Sequence, residues 1–457
     1  MSAKARLIIM NFLQFFVWGA WLITIGNYWF GTKQWDGTSF GSIFATMGIA
    51  SILMPTLFGI VADRWVKIER LYSTLHIFYA CSLVYLTQVT DSGTFFWVML
   101  MGMSCYMPTL ALSNSIAYHV LSHGQYDLIK IFPQVRVWGT VGFIAAMWMT
   151  NLTGNKDTVY QFYFAAGGSL LLAIYALLVL PACPPQRRTG GKAKLSEILG
   201  IDAFRLFGDY KMLLFFIFSI FLGAALQLTN AYGDIFLSEF AHYPQYVNAW
   251  AVKYSTVIIS ISQISETLFI LTIPFFLKRF GVRQVMIFAM VAWVLRFGLF
   301  AYGNPSDGLW MIILSCIAYG MAFDFFNISG SLFVETSVHI GIRSSAQGLF
   351  MMMTNGIGAI LGSQISGIII DKYYTLTYSR IEDLARHLQT TADNSDLLHF
   401  IDAKGVEVYN NVLSEPILLK DWKNIWLAFA LYMLITTIAF IVLFKEKHSR
   451  QEPLQSE

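Results

Sequence analysis

Twelve apolar runs, each long enough to cross a bilayer, constrain this chain before any motif does. A helix rises about 1.5 Å per residue, so roughly twenty apolar residues span the hydrocarbon. The runs fall near residues 7–30, 40–62, 71–89, 94–118, 133–151, 159–181, 212–238, 252–277, 284–302, 308–334, 344–371 and 424–444. Only 12% of the residues are charged and 56% are hydrophobic, whereas a soluble domain carries about twice that charge. The chain reads as an all-α integral membrane protein of twelve spans. Its net charge of +3 is too small to point to a nucleic-acid partner.

The first run follows Lys4 and Arg6, is too long for a signal-peptide core and lacks a small-residue cleavage site, so it reads as a transmembrane helix. Cys81, Cys105, Cys183 and Cys316 show no CxxC or metal spacing, and neither disulfides nor a redox role is expected. An even number of spans puts both termini on one side. Nineteen Lys and Arg residues, among them Arg64, Arg70, Arg187, Lys278 and Arg343, lie on that side; the opposite short loops hold three, Lys33, Lys156 and Lys253. The asymmetry predicts cytoplasmic termini.

Two connections are long. Residues 182–211 contain Pro184-Pro185, Arg187-Arg188 and Gly190-Gly191 and then an amphipathic stretch, the profile of a cytoplasmic linker ending in an interfacial helix. It divides the chain into a six-span half, 1–181, and a second half, 212–457, with an acidic outer loop at 372–423. Within that loop Ser379–Gln389 is expected to form a short surface helix, read as a solvated cap without chemistry of its own. The halves also resemble each other. Tyr106 and Asn114 recur as Tyr319 and Asn327, Arg136 and Phe143 as Arg343 and Phe350, and Pro55 as Pro274, at offsets of 213, 207 and 219 residues. The common spacing supports a six-plus-six repeat, and transporters built this way hold substrate near the midplane, between the repeats.

Span 10 places a carboxylate, Asp324, in the middle of an apolar run. At 100° per residue, Gly320, Phe323, Asp324, Asn327 and Ser331 share an arc of roughly 100°, with Tyr319 at its edge. A charge in hydrocarbon costs a few kcal/mol or more, so it normally faces a cavity, a partner or a pathway. Other spans repeat the pattern. Arg136, Thr140 and Phe143 share a face of span 5; Gln227, Asn230 and Asp234 one of span 7; Gln263 and Glu266 sit in span 8. Span 1 adds Gln14, Trp18 and Trp21, and span 11 adds Gln347 and Asn355.

Amides offer donor and acceptor together, which suits the edge of a nucleobase or the hydroxyls of a sugar. Tyr319, Phe323 and Phe143 offer flat surface for a ring, and Arg136 adds donors for a ligand oxygen or a carboxylate. Glu266 and Asp324 are groups able to take up a proton on one side and release it on the other, which would couple solute entry to the proton gradient without any further cofactor. A sugar, a free nucleobase and a nucleoside all fit this description. A polytopic enzyme does not: no nucleophile–base pair or metal-ligand set is apparent, and His119 with His123 lacks a third ligand. Arg296 in span 9 reads as a structural ion pair or a snorkelling side chain rather than a substrate contact.

Gly59-Ile-Val-Ala-Asp63-Arg64 resembles the G-x-x-x-D-R/K loop of the major facilitator superfamily, although Trp65-Val66-Lys67 replaces the basic cluster that usually follows. A closer likeness is to the bacterial nucleoside:proton symporters of that superfamily. It is carried by Phe16-Val-Trp-Gly-Ala-Trp21, Tyr106-Met-Pro-Thr-Leu110, Arg136-Val-Trp-Gly-Thr-Val-Gly-Phe143, Ser260-Ile-Ser-Gln-Ile-Ser-Glu266 and Phe323-Asp-Phe-Phe-Asn-Ile-Ser-Gly330. Ser345-Ala-Gln-Gly348 and Met352-Met-Thr-Asn-Gly356 belong to the same likeness. The resemblance implies a major-facilitator fold and proton-driven nucleoside import (uridine or adenosine, for example) through a bacterial inner membrane, by a protein acting as a monomer. It implies nucleoside contacts at Arg136, Thr140, Phe143, Gln227, Asn230, Gln263, Tyr319 and Phe323, with Asn327 on the same face. Glu266 and Asp324 are then acidic groups of the site and candidates for proton coupling, and Asp63 and Arg64 help to lock the cytoplasmic side. The outer loop 372–423 looks longer than the family's usual one.

Overall fold

The expected apolar runs are helices, and several of them begin at a side-chain cap. In the computed structural model, which describes residues 2–126, 128–185, 201–339 and 343–445, the first six spans contain α1 (Ala3–Gly19), α2 (Gly37–Arg64), α3 (Ile68–Leu86), α4 (Ser92–His123), α5 (Leu128–Leu152) and α6 (Tyr160–Leu178). Asp36 and Asp91 cap α2 and α4 by accepting from the amides of Ser39 and Thr94, each at 2.7 Å. The second set begins with α7 (Tyr210–Ser238), capped by Asp209. It continues with α8 (Ser255–Ile259), α9 (Ile261–Ile270), α10 (Ile273–Phe280), α11 (Val282–Tyr302) and α12 (Leu309–Ser337). Span 11 is made of α13 (Arg343–Met351), the π-helical segment Met352–Gly358 and α14 (Ala359–Tyr373). Half of the linker, residues 186–200, lies outside the described residues.

Eight of the described helices are long and apolar enough to cross a membrane, and a ninth crossing is the pair 255–270 and 273–280, bent by 55°. With α1, α3 and α5 beside them in the bundle, this is consistent with twelve spans. Two spans depart from the straight helices expected. Span 8 breaks at Leu271–Thr272, just before Pro274, which has no amide hydrogen to continue the ladder. Span 1 stops at Gly19 and resumes as a π-helical turn at Asn27–Thr32.

The two sets pack in a crossed manner. Span 2 (α2) lies against span 11 (α14), and span 5 (α5) lies against span 8 (α8 and α9). Spans 8 and 11 are the repeat counterparts of 2 and 5, so the interface between halves is itself pseudo-symmetric. Its hydrogen bonds cluster toward one end. Asp371 accepts from the amides of Gly37 (3.1 Å) and Thr38 (2.6 Å) and from the Thr38 hydroxyl (2.9 Å). Lys156 donates to Ser238 and Ser255, Asn151 to the Lys253 carbonyl, Trp148 to Ser260, and Asn27 to Asp234.

That end carries a folded cap where the sequence suggested a loop with one surface helix. Strands β1 (Thr375–Arg380), β2 (Val408–Tyr409) and β3 (Val412–Lys420) form an antiparallel sheet in the order β1-β3-β2. The expected surface helix is α15 (Ile381–His387), and it is joined by α16 (Ser395–Ala403). Ile381, Leu384, Leu388, Leu397, Ile401, Leu413, Ile417 and Leu419 close a separate small core. β3 leads into α17 (Trp422–Leu443), the last span.

Candidate functional site

The site begins with the packing of α1 on α5. A methyl group on Gly139 would lie 2.6 Å from the Phe15 ring and 2.8 Å from an Arg136 Nη; one on Gly142 would lie 2.1 Å from the Phe12 carbonyl. The two glycines therefore let α5 approach α1 until the Arg136 guanidinium lies over the Phe15 ring, 4.0 Å from its centre. One turn beyond Thr140, Phe143 meets Trp18 edge-on at 6.4 Å, and Trp18 meets Tyr106 at 5.8 Å. Trp18 Nε1 is buried with no hydrogen-bond partner, which leaves this aromatic wall one unspent donor.

The facing wall comes from α7, α9 and α12. The Tyr319 and Phe323 rings, one helical turn apart, are stacked with centres 6.3 Å apart and planes inclined by 11°. Trp293 packs on the edge of Tyr319, and the Arg296 guanidinium covers Tyr319 at 4.6 Å. Arg296 is fully buried and donates to the Ser315 carbonyl (2.8 Å) and to the Thr229 and Ser262 hydroxyls, neutral partners within the bundle where an ion pair or a snorkelling side chain was expected. Asp324 is 5% exposed, and one of its carboxylate oxygens has no hydrogen-bond partner. The amide oxygens of Gln227 and Gln263 are likewise buried and unpartnered. Buried polar atoms are paired in most proteins, so three open acceptors in neighbouring helices mark a place that expects a donor from elsewhere.

The two walls meet electrostatically. Arg136 interacts with Glu266 and Asp324, and the two carboxylates interact with each other through Asp324. With all three ionised, the cluster carries one net negative charge, and one proton neutralises it. Phe323 and Asn327 line a small void of about 20 Å³ together with Asn355, Thr354 and Trp293. Asn230 and Thr140 are half-buried on the faces expected for them.

Not every expected polar group belongs here. Gln14 is the centre of an internal network: its amide nitrogen donates to Thr109 at 2.8 Å, its oxygen accepts from Tyr72 and pairs with His76, and Tyr106 donates to its backbone carbonyl. Gln347 bonds the backbone and hydroxyl of Ser331. Asp234, on the face of Gln227 and Asn230, pairs with Asn27 across the interface. Arg64 is exposed at the end of α2, and the Asp63 side chain lies outside the described residues. Of the cross-interface residues, Asp371 and Asn27 were not singled out in the sequence and Lys156 was counted only for its charge; each is one polar residue near a span end, with partners up to 334 residues away.

Comparison with known proteins shows the family of the chain. The description "Nucleoside H+ symporter" matches residues 1–392. The xanthosine permease of Escherichia coli (strain K12) is 44% identical over 453 residues, covering 99% of this chain and 98% of its own. The nucleoside permease NupG of the same organism is 43% identical over 451 residues, 98% of each chain. The crystal structure of NupG superposes with a TM-score of 0.83 at 42% identity, covering 98% of this chain and all of the other. A bacterial homologue of the lysosomal transporter Spinster, at 14% identity and a TM-score of 0.60, shares the fold alone.

Proposed function

This chain belongs to the nucleoside H+ symporter family, a family of transporters rather than enzymes, and from that premise we propose how its own residues bind and move a nucleoside. The observation that carries the reading is the cluster of Arg136, Glu266 and Asp324, held between halves that are hydrogen-bonded at the cap end. The base lies between Phe143 on one wall and Tyr319 and Phe323 on the other, where flat apolar rings remove it from water. Gln227, Asn230, Gln263 and Asn327 read its edge and the ribose hydroxyls, Arg136 and Thr140 supply donors, and the open acceptors of Gln227, Gln263 and Asp324 take donors from the solute.

Proton coupling follows from the charge of the cluster. Two carboxylates beside one guanidinium hold one surplus negative charge, whose removal from water is costly as the site closes. A proton on Asp324, or on Glu266, discharges the site so that it can close and reorient. Release on the other side restores the charge and loosens the solute. The basic span ends support cytoplasmic termini and an outer cap, and on that reading the hydrogen-bonded cap end is a closed outer face. Residues 1–181 and 212–457 are the moving halves, 182–211 joins them, and Asp63 and Arg64 lock the inner face when the outer one opens. The protein works as a monomer.

Labelled uridine in proteoliposomes tests the reading, with and without a pH gradient acid outside. Uptake should exceed equilibrium only with the gradient, and excess ribose or uracil should leave it unchanged. Inhibition by either would reassign the cargo to a sugar or a free base, and no movement at all would refute transport. Asp324→Asn should abolish accumulation while leaving some binding; full accumulation by that variant would move the proton to Glu266.

A further inference from the structure

A second void, of about 750 Å³, lies at the cap end, well away from the Arg136–Asp324 cluster. Its roof is the cap, through Lys404 and Glu415–Lys420; its walls include Phe30, Gln34, Trp35, Asn248 and His242; its floor reaches Asn27 and Ser238. We propose that this vestibule is a second nucleoside site, occupied from outside while the halves are closed above the central site. The inference rests on the nucleoside reading given above.

Size and chemistry both fit. Small-molecule sites typically occupy about 300–1,000 Å³, with aromatic surface and a few polar groups. Here Trp35 offers a ring face, Gln34 and Asn248 offer exposed amides, and Lys404 and Glu415 offer groups for hydroxyls. The same chemistry recurs in the central site.

Helix α7 joins the two places. Gln227, Asn230, Asp234 and Ser238 fall within an arc of about 80° at 100° per residue, so one polar stripe runs along the helix. Gln227 belongs to the central cluster and Ser238 to the vestibule, about 16 Å apart along the axis at 1.5 Å per residue. Between them, Asp234 is only 1% exposed; one of its oxygens accepts from Asn27 of the other half, and the other has no partner. When the halves part there, Asn27 and both oxygens of Asp234 are left needing partners. A hydroxyl-rich solute waiting in the vestibule supplies them and passes along the stripe.

The test is protection of a thiol in the vestibule. Val247 is exposed and lines the void, so Val247→Cys, in a background with the exposed Cys81 changed to Ser, is labelled in proteoliposomes by a membrane-impermeant thiol reagent. Uridine at about twice its dissociation constant for the vestibule should slow labelling about threefold by mass action. The protection should persist when Arg136→Ala and Gln263→Ala together disable the central site; if that combination does not fold, Phe143→Ala with Phe323→Ala replaces it. Protection that disappears with the central site, or never occurs, overturns the vestibule proposal while Val247→Cys still accumulates uridine. If that protein moves no uridine under a gradient, the nucleoside reading itself has failed.

Discussion

Replacing Gly41 with alanine should open the cap end of the transporter. Gly41 lies in α2 where it crosses α14, and a Cβ at this position would sit 2.2 Å from the Ser363 carbonyl oxygen and 3.0 Å from its carbon. Ordinary contact begins near 3.4 Å, so the two helices must part by about 1 Å locally. Forcing a methyl group into a packed seam costs about 1–3 kcal/mol. The contact exists only while spans 2 and 11 are closed, so the penalty falls on that form alone and shifts the balance about 5–150-fold toward the open one, at 1.4 kcal/mol per tenfold. A reporter is available one residue away: Ser42 accepts from Gln364 across the seam at 3.0 Å. The rate at which an impermeant reagent labels Ser42→Cys should rise by that factor when Gly41→Ala is added. An unchanged labelling rate in a variant that unfolds at the parent's temperature would show that the seam absorbs the methyl group, and would refute the reasoning.

Three further outcomes follow from the contacts. Gln14→Ala strands Thr109, Tyr72 and His76, so it should lower the melting temperature and leave uridine affinity nearly intact, whereas Gln263→Ala should do the reverse; calorimetry and equilibrium binding on both variants separate the two roles. Arg296→Leu should destabilise the fold by about 1–2 kcal/mol through hydrogen bonds lost within the bundle, measured by thermal unfolding; a neutral result would mean that Ser315 and Thr229 find other partners. His387 docks the cap through Tyr243, at 3.3 Å, and burial holds its pKa below the usual 6.5. Its neutral form therefore supports the fold above pH 6.5, and that support is lost as the pH falls through the lowered value. Hydrogen-exchange protection in Ile381–His387, taken relative to intrinsic exchange at each pH, should fall between pH 7.5 and 5, and less so in His387→Gln; protection that rises in acid would reverse the assignment.

Much of this protein is legible in its sequence. Apolar run length set the spans to within a few residues, because a hydrocarbon layer leaves the backbone no solvent and makes helix the available answer. Asp324, Glu266 and Arg136 stood out for a related reason: a charge inside a span needs a cause. The crossed pairing of spans 2 with 11 and 5 with 8 came only from the packing.

What stayed hidden depends on partners distant in the chain. An amide in a span is the same letter whether it faces a solute or a neighbouring helix; only packing turned Gln14 and Gln347 inward and left Gln227 and Gln263 with open acceptors. The cap's sheet pairs β1 with a strand that follows two intervening helices, so local pattern could supply α15 but not the register of Thr375 with Lys420. The closed seam likewise depends on Asp371 meeting Gly37 and Thr38 from the far end of the sequence. The sequence alone determined that this chain spans a membrane and carries charge within it, because transfer free energies are properties of single residues and short runs. Tertiary structure alone decided which polar groups remain unspent and which end is closed, because hydrogen bonds and close approach are properties of pairs.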